Sequence, residues 1–220
     1  MSGFLILLAQ ATIYFIFLST LFFWRKMIGI GVFFCALGTM HFLETYLAAV
    51  FFIQLPFGLV SPGSTILFSG KLALFLLLYI KEDAESMRQP IYGLLAGNLL
   101  MVVLALILRL YGTPVSLPGY NPDLYFLDQM GVLMVWGTAL LFVDLIGLVI
   151  LYERLSRSIS NTIPGRIFIS LALVLSFDQI LFFGGLHLLT GAPVSGLWGG
   201  WMSKILAACF FTLALTCYLR

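Results

Sequence analysis

Seven ionisable side chains lie inside long apolar runs of this chain: His41, Glu44, Lys71, Asp144, Asp178, His187 and Lys204. An ionised group at the centre of a bilayer costs roughly 2.5–3.5 kcal/mol on insertion scales, so such residues usually face a bundle interior and mark a site. Their order carries a pattern. Glu44 precedes Lys71 by 27 positions and Asp178 precedes Lys204 by 26, and a Gly/Pro/Ser-rich stretch divides each acid from its lysine. Such pairs either neutralise each other or offer both signs of charge to a polar ligand. His41 stands one turn from Glu44 on nearly the same helical face, and Trp201 stands a turn before Lys204. The candidate ligand-binding set is therefore Asp178, Lys204, Glu44, Lys71, His41 and Trp201. The plainer alternative is two structural ion pairs between packed helices. Asp144 is open between a relay and a helix contact, and His187, about half a turn round the helix from Asp178, is expected at the interface. Phe68 and Phe75 flank Lys71, either as an aromatic lining or as ordinary packing.

There is no phosphate-binding Gly loop, no Cys or His pair at metal spacing, and no Ser or Cys nucleophile beside a His. No catalytic residue, metal or cofactor is expected, and the chain reads as a non-enzyme. Cys35, Cys209 and Cys217 sit in apolar runs, where a thiol behaves as a small hydrophobe.

Of the 220 residues, 62% are hydrophobic and 9% charged, the composition of a polytopic membrane protein. Apolar runs of about 17 to 25 residues, enough to cross roughly 30 Å of hydrocarbon, fall at 3–24, 27–54, 65–80, 91–111, 127–152, 167–190 and 197–218. They are separated by turn signals at Leu55-Pro56-Phe57-Gly58, by the charged stretch 81–90, and by a Pro/Gly loop at 112–123. The fold class is all-α, with seven transmembrane helices in a single domain, 1–220. That domain divides into an N-terminal helix, 3–24, and a six-helix bundle, 27–219. The first run has no basic start and no small-residue cleavage site, so it reads as a retained helix.

Basic residues set the orientation. Arg25, Lys26, Lys81, Arg88, Arg154, Arg157, Arg166 and Arg220 fall at one end of the bundle, against Arg109 alone at the other. The N-terminus is thereby predicted outside and the C-terminus cytoplasmic, in the inner (plasma) membrane. A net charge of +2, with the basic residues scattered, gives no reason to expect nucleic acid. Counting along the helices puts Lys71 and Lys204 roughly 9–10 Å below the outer surface and Glu44 and Asp178 roughly 15–18 Å below it. The two units also suggest a parallel repeat in which helices one to three match five to seven, with helix four as connector.

Four short motifs add a family resemblance. They are Asp178-Gln179-Ile180-Leu181-Phe182-Phe183 on a late helix and Ser203-Lys204-Ile205-Leu206 on the last, with the acidic-then-basic exit 79–88 and Tyr152-Glu153-Arg154-Leu155 after helix five. With these, helices two to seven resemble the vitamin-uptake-transporter-like family, known for importers of queuosine precursors. That family usually places an acid near Leu148, whereas this chain has Asp144 one turn earlier. The added N-terminal helix resembles the family's sensor relatives, in which the bundle is the input domain of a histidine kinase or diguanylate cyclase.

The resemblance implies a small-molecule sensor whose ligand arrives from the outer side, with membrane lipid around it. It also implies a cytoplasmic output domain after Arg220, and a homodimer is an open arrangement. The alternative is a secondary importer of a vitamin or nucleobase-like molecule. A remote alternative is a retinal protein, invited by a lysine on the seventh helix, although Gly200 stands where such pigments usually carry an acid. The orientation is directly testable: a fluorescent protein fused after Arg220 is expected to be bright, and alkaline phosphatase fused there inactive.

Overall fold

The structure is a computed structural model; it describes residues 2–108, 125–158, 162–191 and 195–220. The end of the fourth predicted span, Arg109 and the loop predicted at 112–123 lie outside the described residues. The elements in chain order are α1 (Ser2–Phe23), α2 (Arg25–Ile28), α3 (Ile30–Val50), β1 (Ile53–Leu55), β2 (Gly58–Val60), a π-helical segment (Gly63–Phe68), α4 (Ser69–Lys81), α5 (Ala84–Leu108), α6 (Tyr125–Ser158), α7 (Ile163–Thr190) and α8 (Ser195–Leu219). Among the described residues, seven helices are long and apolar enough to cross a membrane. This is a multi-pass, all-α membrane fold.

Three boundaries differ from the sequence reading, each for a local reason. The second span stops at Val50, because residues 53–60 form a two-stranded antiparallel hairpin, Ile53 opposite Val60 and Leu55 opposite Gly58. The β-branched and aromatic residues around Pro56 favour extended chain, and Leu55 and Val60 are buried. The charged stretch 81–90 is mostly helix: Asp83 accepts the Ser86 backbone N–H at 2.7 Å and caps the start of α5. That bond holds the Asp83 carboxyl below the usual carboxylate range. Third, the span that begins near residue 63 opens with a π-helical turn before becoming α4.

The bundle is organised around this third span. In Gly63–Lys81, 83% of the apolar window is buried, against 22–44% in the other six. Helix α4 is therefore a central post, and α1, α5, α6, α7 and α8 all touch it. In hydrocarbon, helices associate through close packing rather than through a hydrophobic drive, so small residues mark the closest approaches. A Cβ built on Gly63 would lie 2.5 Å from Ala48 N and Glu44 O of α3, and one on Gly199 would lie 2.5 Å from Leu59 O of the hairpin. Ser61 Oγ donates to Leu47 O at 2.8 Å and ties the entry of the π-helical segment to α3.

Charged groups gather at the end of the bundle opposite the hairpin. There Arg25 pairs with Glu82 and stacks over Phe22 at 4.1 Å. Tyr79 donates to Glu153 at 2.8 Å, linking α4 to α6, and Arg166 donates to Ser156 at 2.9 Å, linking α7 to α6.

Because the atoms opposing Gly63 are backbone, they cannot rotate away. Gly63→Ala is expected to destabilise the bundle by about 1–3 kcal/mol, the usual cost of overpacking, read as a lowered melting temperature in detergent.

Candidate functional site

The predicted acid–lysine pairs both form. Lys71 Nζ donates to Glu44 Oε1 at 2.7 Å, and Lys204 Nζ donates to Asp178 Oδ2 at 2.5 Å. Both lysines are 0% exposed. The first pair joins α3 to α4 and the second joins α7 to α8. Phe68, the last residue of the π-helical segment, connects the two pairs. Its ring lies 5.1 Å from Lys71 Nζ and 5.5 Å from Lys204 Nζ, so one aromatic ring serves two ammonium groups. The π-helical segment and α8 are also joined by a buried hydroxyl pair, Thr65 Oγ1 and Ser203 Oγ, at 2.9 Å. Since Ser203 donates to Gly200 O at 2.8 Å, Thr65 is the donor in that contact.

His41 extends the first pair sideways. Its Nδ1 is 2.9 Å from Lys71 Nζ, and its Nε2 is 2.8 Å from the Asn98 side-chain amide, which in turn is 2.6 Å from Thr138 Oγ1. A charged lysine has donors only, so Nδ1 accepts and the ring proton of a neutral imidazole sits on Nε2. In the structure the Asn98 Nδ2 group lies against both His41 Nε2 and Thr138 Oγ1; turning that amide over would give the Nε2–H and the Thr138 hydroxyl a carbonyl acceptor. The relay Lys71–His41–Asn98–Thr138 crosses α4, α3, α5 and α6. Beyond it, Asn98 and Thr138 form the floor of an otherwise apolar groove of about 460 Å³ between α5 and α6, with Tyr92, Leu99 and Val135 on its walls.

Glu44 and Asp178 line one cavity together with His41, Thr45, Phe68 and Phe182. It measures about 30 Å³, room for one or two waters and far below the several hundred Å³ of an organic-ligand pocket. Glu44 Oε2 is buried beside it without a hydrogen-bond partner.

Of the predicted site residues, Asp178, Lys204, Glu44, Lys71 and His41 converge on this cluster. Trp201 does not. Its Nε1 donates to Ser176 Oγ at 2.9 Å and its ring packs edge-on against Trp198, so it serves the α7–α8 contact nearer the hairpin end. His187 is exposed, as its angular offset from Asp178 predicted. Asp144, which the sequence leaves open between a relay and a helix contact, is buried in the bundle. Asn98 and Thr138 were missed. The available signal was a lone amide in the apolar run 91–108, whose importance depends on a partner that only the helix packing reveals.

Residues 15–219 match the family model for vitamin uptake-like sensors. The chain belongs to the vitamin uptake-like sensor family. The match begins inside α1, so the second half of the N-terminal helix is part of what this family shares. No curated protein and no solved structure gives a significant match. For a vitamin uptake-like sensor, the polar cluster described above is the main concentration of buried charge among the described residues.

Removing one partner of a buried ion pair leaves an uncompensated charge and costs about 3–5 kcal/mol, whereas replacing both with apolar residues of similar volume is often neutral. Lys204→Met alone is therefore expected to lower stability strongly, and Asp178→Leu/Lys204→Met to recover most of the loss. A thermal-melt double-mutant cycle in detergent checks this.

Proposed function

We propose that this chain is the ligand-sensing membrane domain of a bacterial signalling protein. The reading rests on one observation: two buried ion pairs from different parts of the chain meet at a single aromatic ring and enclose one small cavity. A polar small molecule entering from the outer side would engage Glu44 and Asp178 and separate them from Lys71 and Lys204. The cavity of about 30 Å³ describes the closed arrangement, and binding requires a second, opened one. A ligand shifts the balance between two such states by its difference in affinity for them. Helix α8 carries Lys204, so breaking the α7–α8 ion pair would free it to pass the change to a cytoplasmic output domain such as a histidine kinase or diguanylate cyclase.

The same site would serve an importer of a vitamin or nucleobase-like molecule. Uptake of radiolabelled vitamins or nucleobases by proteoliposomes separates the two readings, and the sensor reading expects none. The retinal alternative rests on a lysine in the last span and nothing more, and a purified protein that stays colourless when retinal is added disposes of it.

The direct test is a thermal-shift screen of the nanodisc-embedded protein against a panel of vitamins and nucleobases. At a concentration 100-fold above its dissociation constant, a true ligand adds about 2.7 kcal/mol of stability. That shift is expected to vanish in Asp178→Asn and in Lys204→Ala while both variants remain monodisperse. Normal binding by both variants would reduce the ion pairs to scaffold.

A further inference from the structure

The groove of about 460 Å³ between α5 and α6 lies apart from the cavity that Glu44 and Asp178 line. Its volume falls within the few hundred Å³ usual for organic-ligand pockets. Tyr92, Leu99 and Val135 on its walls are exposed, so in a bilayer it opens sideways to hydrocarbon rather than to water. Among the described residues no charged side chain lines it. Its floor is polar nonetheless: Asn98 is 7% exposed and Thr138 9%. Asn98 stands ten positions from Arg88 and ten from Leu108 on α5, roughly 15 Å along the axis either way, which puts its amide near mid-bilayer.

An amide has two ends, and the interior of the bundle uses one. Both hydrogen bonds of Asn98, to His41 Nε2 and to Thr138 Oγ1, run from its Nδ2 end, and its other end has no hydrogen bond among the described residues. Since Lys71 holds the His41 ring proton on Nε2, the turned-over amide is the one in which every contact pairs a donor with an acceptor. The NH2 is then the end left to the groove. N–H donors near mid-bilayer without an acceptor are costly, and phospholipid does not supply one. An acyl chain lying in the groove brings only methylene there, because its ester oxygens stay at the edge of the hydrocarbon, roughly 15 Å away.

We infer that this groove is a binding site for an uncharged, largely apolar molecule dissolved in the bilayer that carries a carbonyl group, such as a ketone or a quinone. The carbonyl oxygen accepts from the Asn98 NH2, and the hydrocarbon body lies between Leu99 and Val135. A charged ligand is excluded by the route, which crosses hydrocarbon, and by walls that offer no counter-charge. Occupancy is linked to the Glu44–Lys71 pair, since an acceptor in the groove holds the amide in the orientation that keeps His41 Nδ1 as an acceptor for Lys71. The inference stands on the groove and its amide, and holds whether the ion pairs sense, transport or only brace the bundle.

Photolabelling of the nanodisc-embedded protein with benzophenone tests it, because this apolar ketone inserts into nearby C–H bonds when irradiated and mass spectrometry identifies the labelled peptides. Labelling of the walls around Leu99 and Val135 is expected to saturate with benzophenone concentration. Cyclododecanone is expected to compete, and cyclododecane, the same ring without the carbonyl, is not. Asn98→Leu keeps the volume and removes the donor, and is expected to weaken labelling about tenfold, the worth of one hydrogen bond. Ala139→Phe leaves the amide in place and fills the groove from an exposed wall position, so it is expected to abolish wall labelling with the melting temperature unchanged. If Asn98→Leu fails to fold, Ala139→Phe and the competition pair decide. Labelling that rises without saturation, that persists in Ala139→Phe or in a folded Asn98→Leu, or that cyclododecane suppresses as well as the ketone does would overturn the proposal in favour of an ordinary lipid-filled cleft.

Discussion

Charge neutrality inside hydrocarbon is the constraint on which the rest of this fold depends. A lone ammonium in the bilayer interior has no water to turn to, so Lys71 and Lys204 specify where their helices must sit. Lys71 places α4 against α3, and Lys204 places α8 against α7. Phe68 then brings the two pairs to one level by presenting a single ring to both cations. Apolar packing alone would leave the seven helices free to rotate, since one greasy face resembles another, and the ion pairs remove that freedom.

The small residues and the hairpin follow from this demand. For Glu44 to reach Lys71, α3 and the start of the central span must touch backbone to backbone, and Gly63 permits it. For Lys204 to reach Asp178, α8 must lie low over the hairpin, and Gly199 permits that. The extended chain at 53–60 ends α3 after about six turns and lays its second strand against α8. Buried polarity thus sets the geometry, and the glycines and the hairpin accommodate it.

Much of this was legible in the residues themselves. Among the described residues, apolar run lengths place the span ends to within four residues, except that α5 begins seven residues before its run and α6 ends six after its own, because crossing hydrocarbon is a length requirement that any helix-forming apolar sequence reports. The pairings Glu44–Lys71 and Asp178–Lys204 were legible for the same reason that they form: an acid and a lysine on consecutive antiparallel helices at similar depth have few other partners. What could not be read was rotation about the helix axes. Trp201 was expected beside the ligand because it stands one turn from Lys204, yet its indole is used by Ser176 on the preceding helix, α7. Asn98 and Thr138 join the network through His41 on α3, and no spacing within α5 or α6 records that contact. The hairpin was hidden by the apolar residues around Pro56, which extend the hydropathy signal of α3 past the point where its helix ends.

The π-helical segment has a further consequence for how the centre of this bundle can move. A π turn closes i to i+5 rather than i to i+4 and so accommodates an additional residue within a helix. Were that extra residue to migrate along the central post past Lys71, the lysine would advance by about 1.5 Å and turn by about 100°, one residue's step of an α-helix. The helix itself would stay intact. Such a step would carry Lys71 and Phe68 past their partners as a unit, like a tooth on a ratchet. The element that holds both ion pairs together is therefore out of α-helical phase with the turn that precedes it.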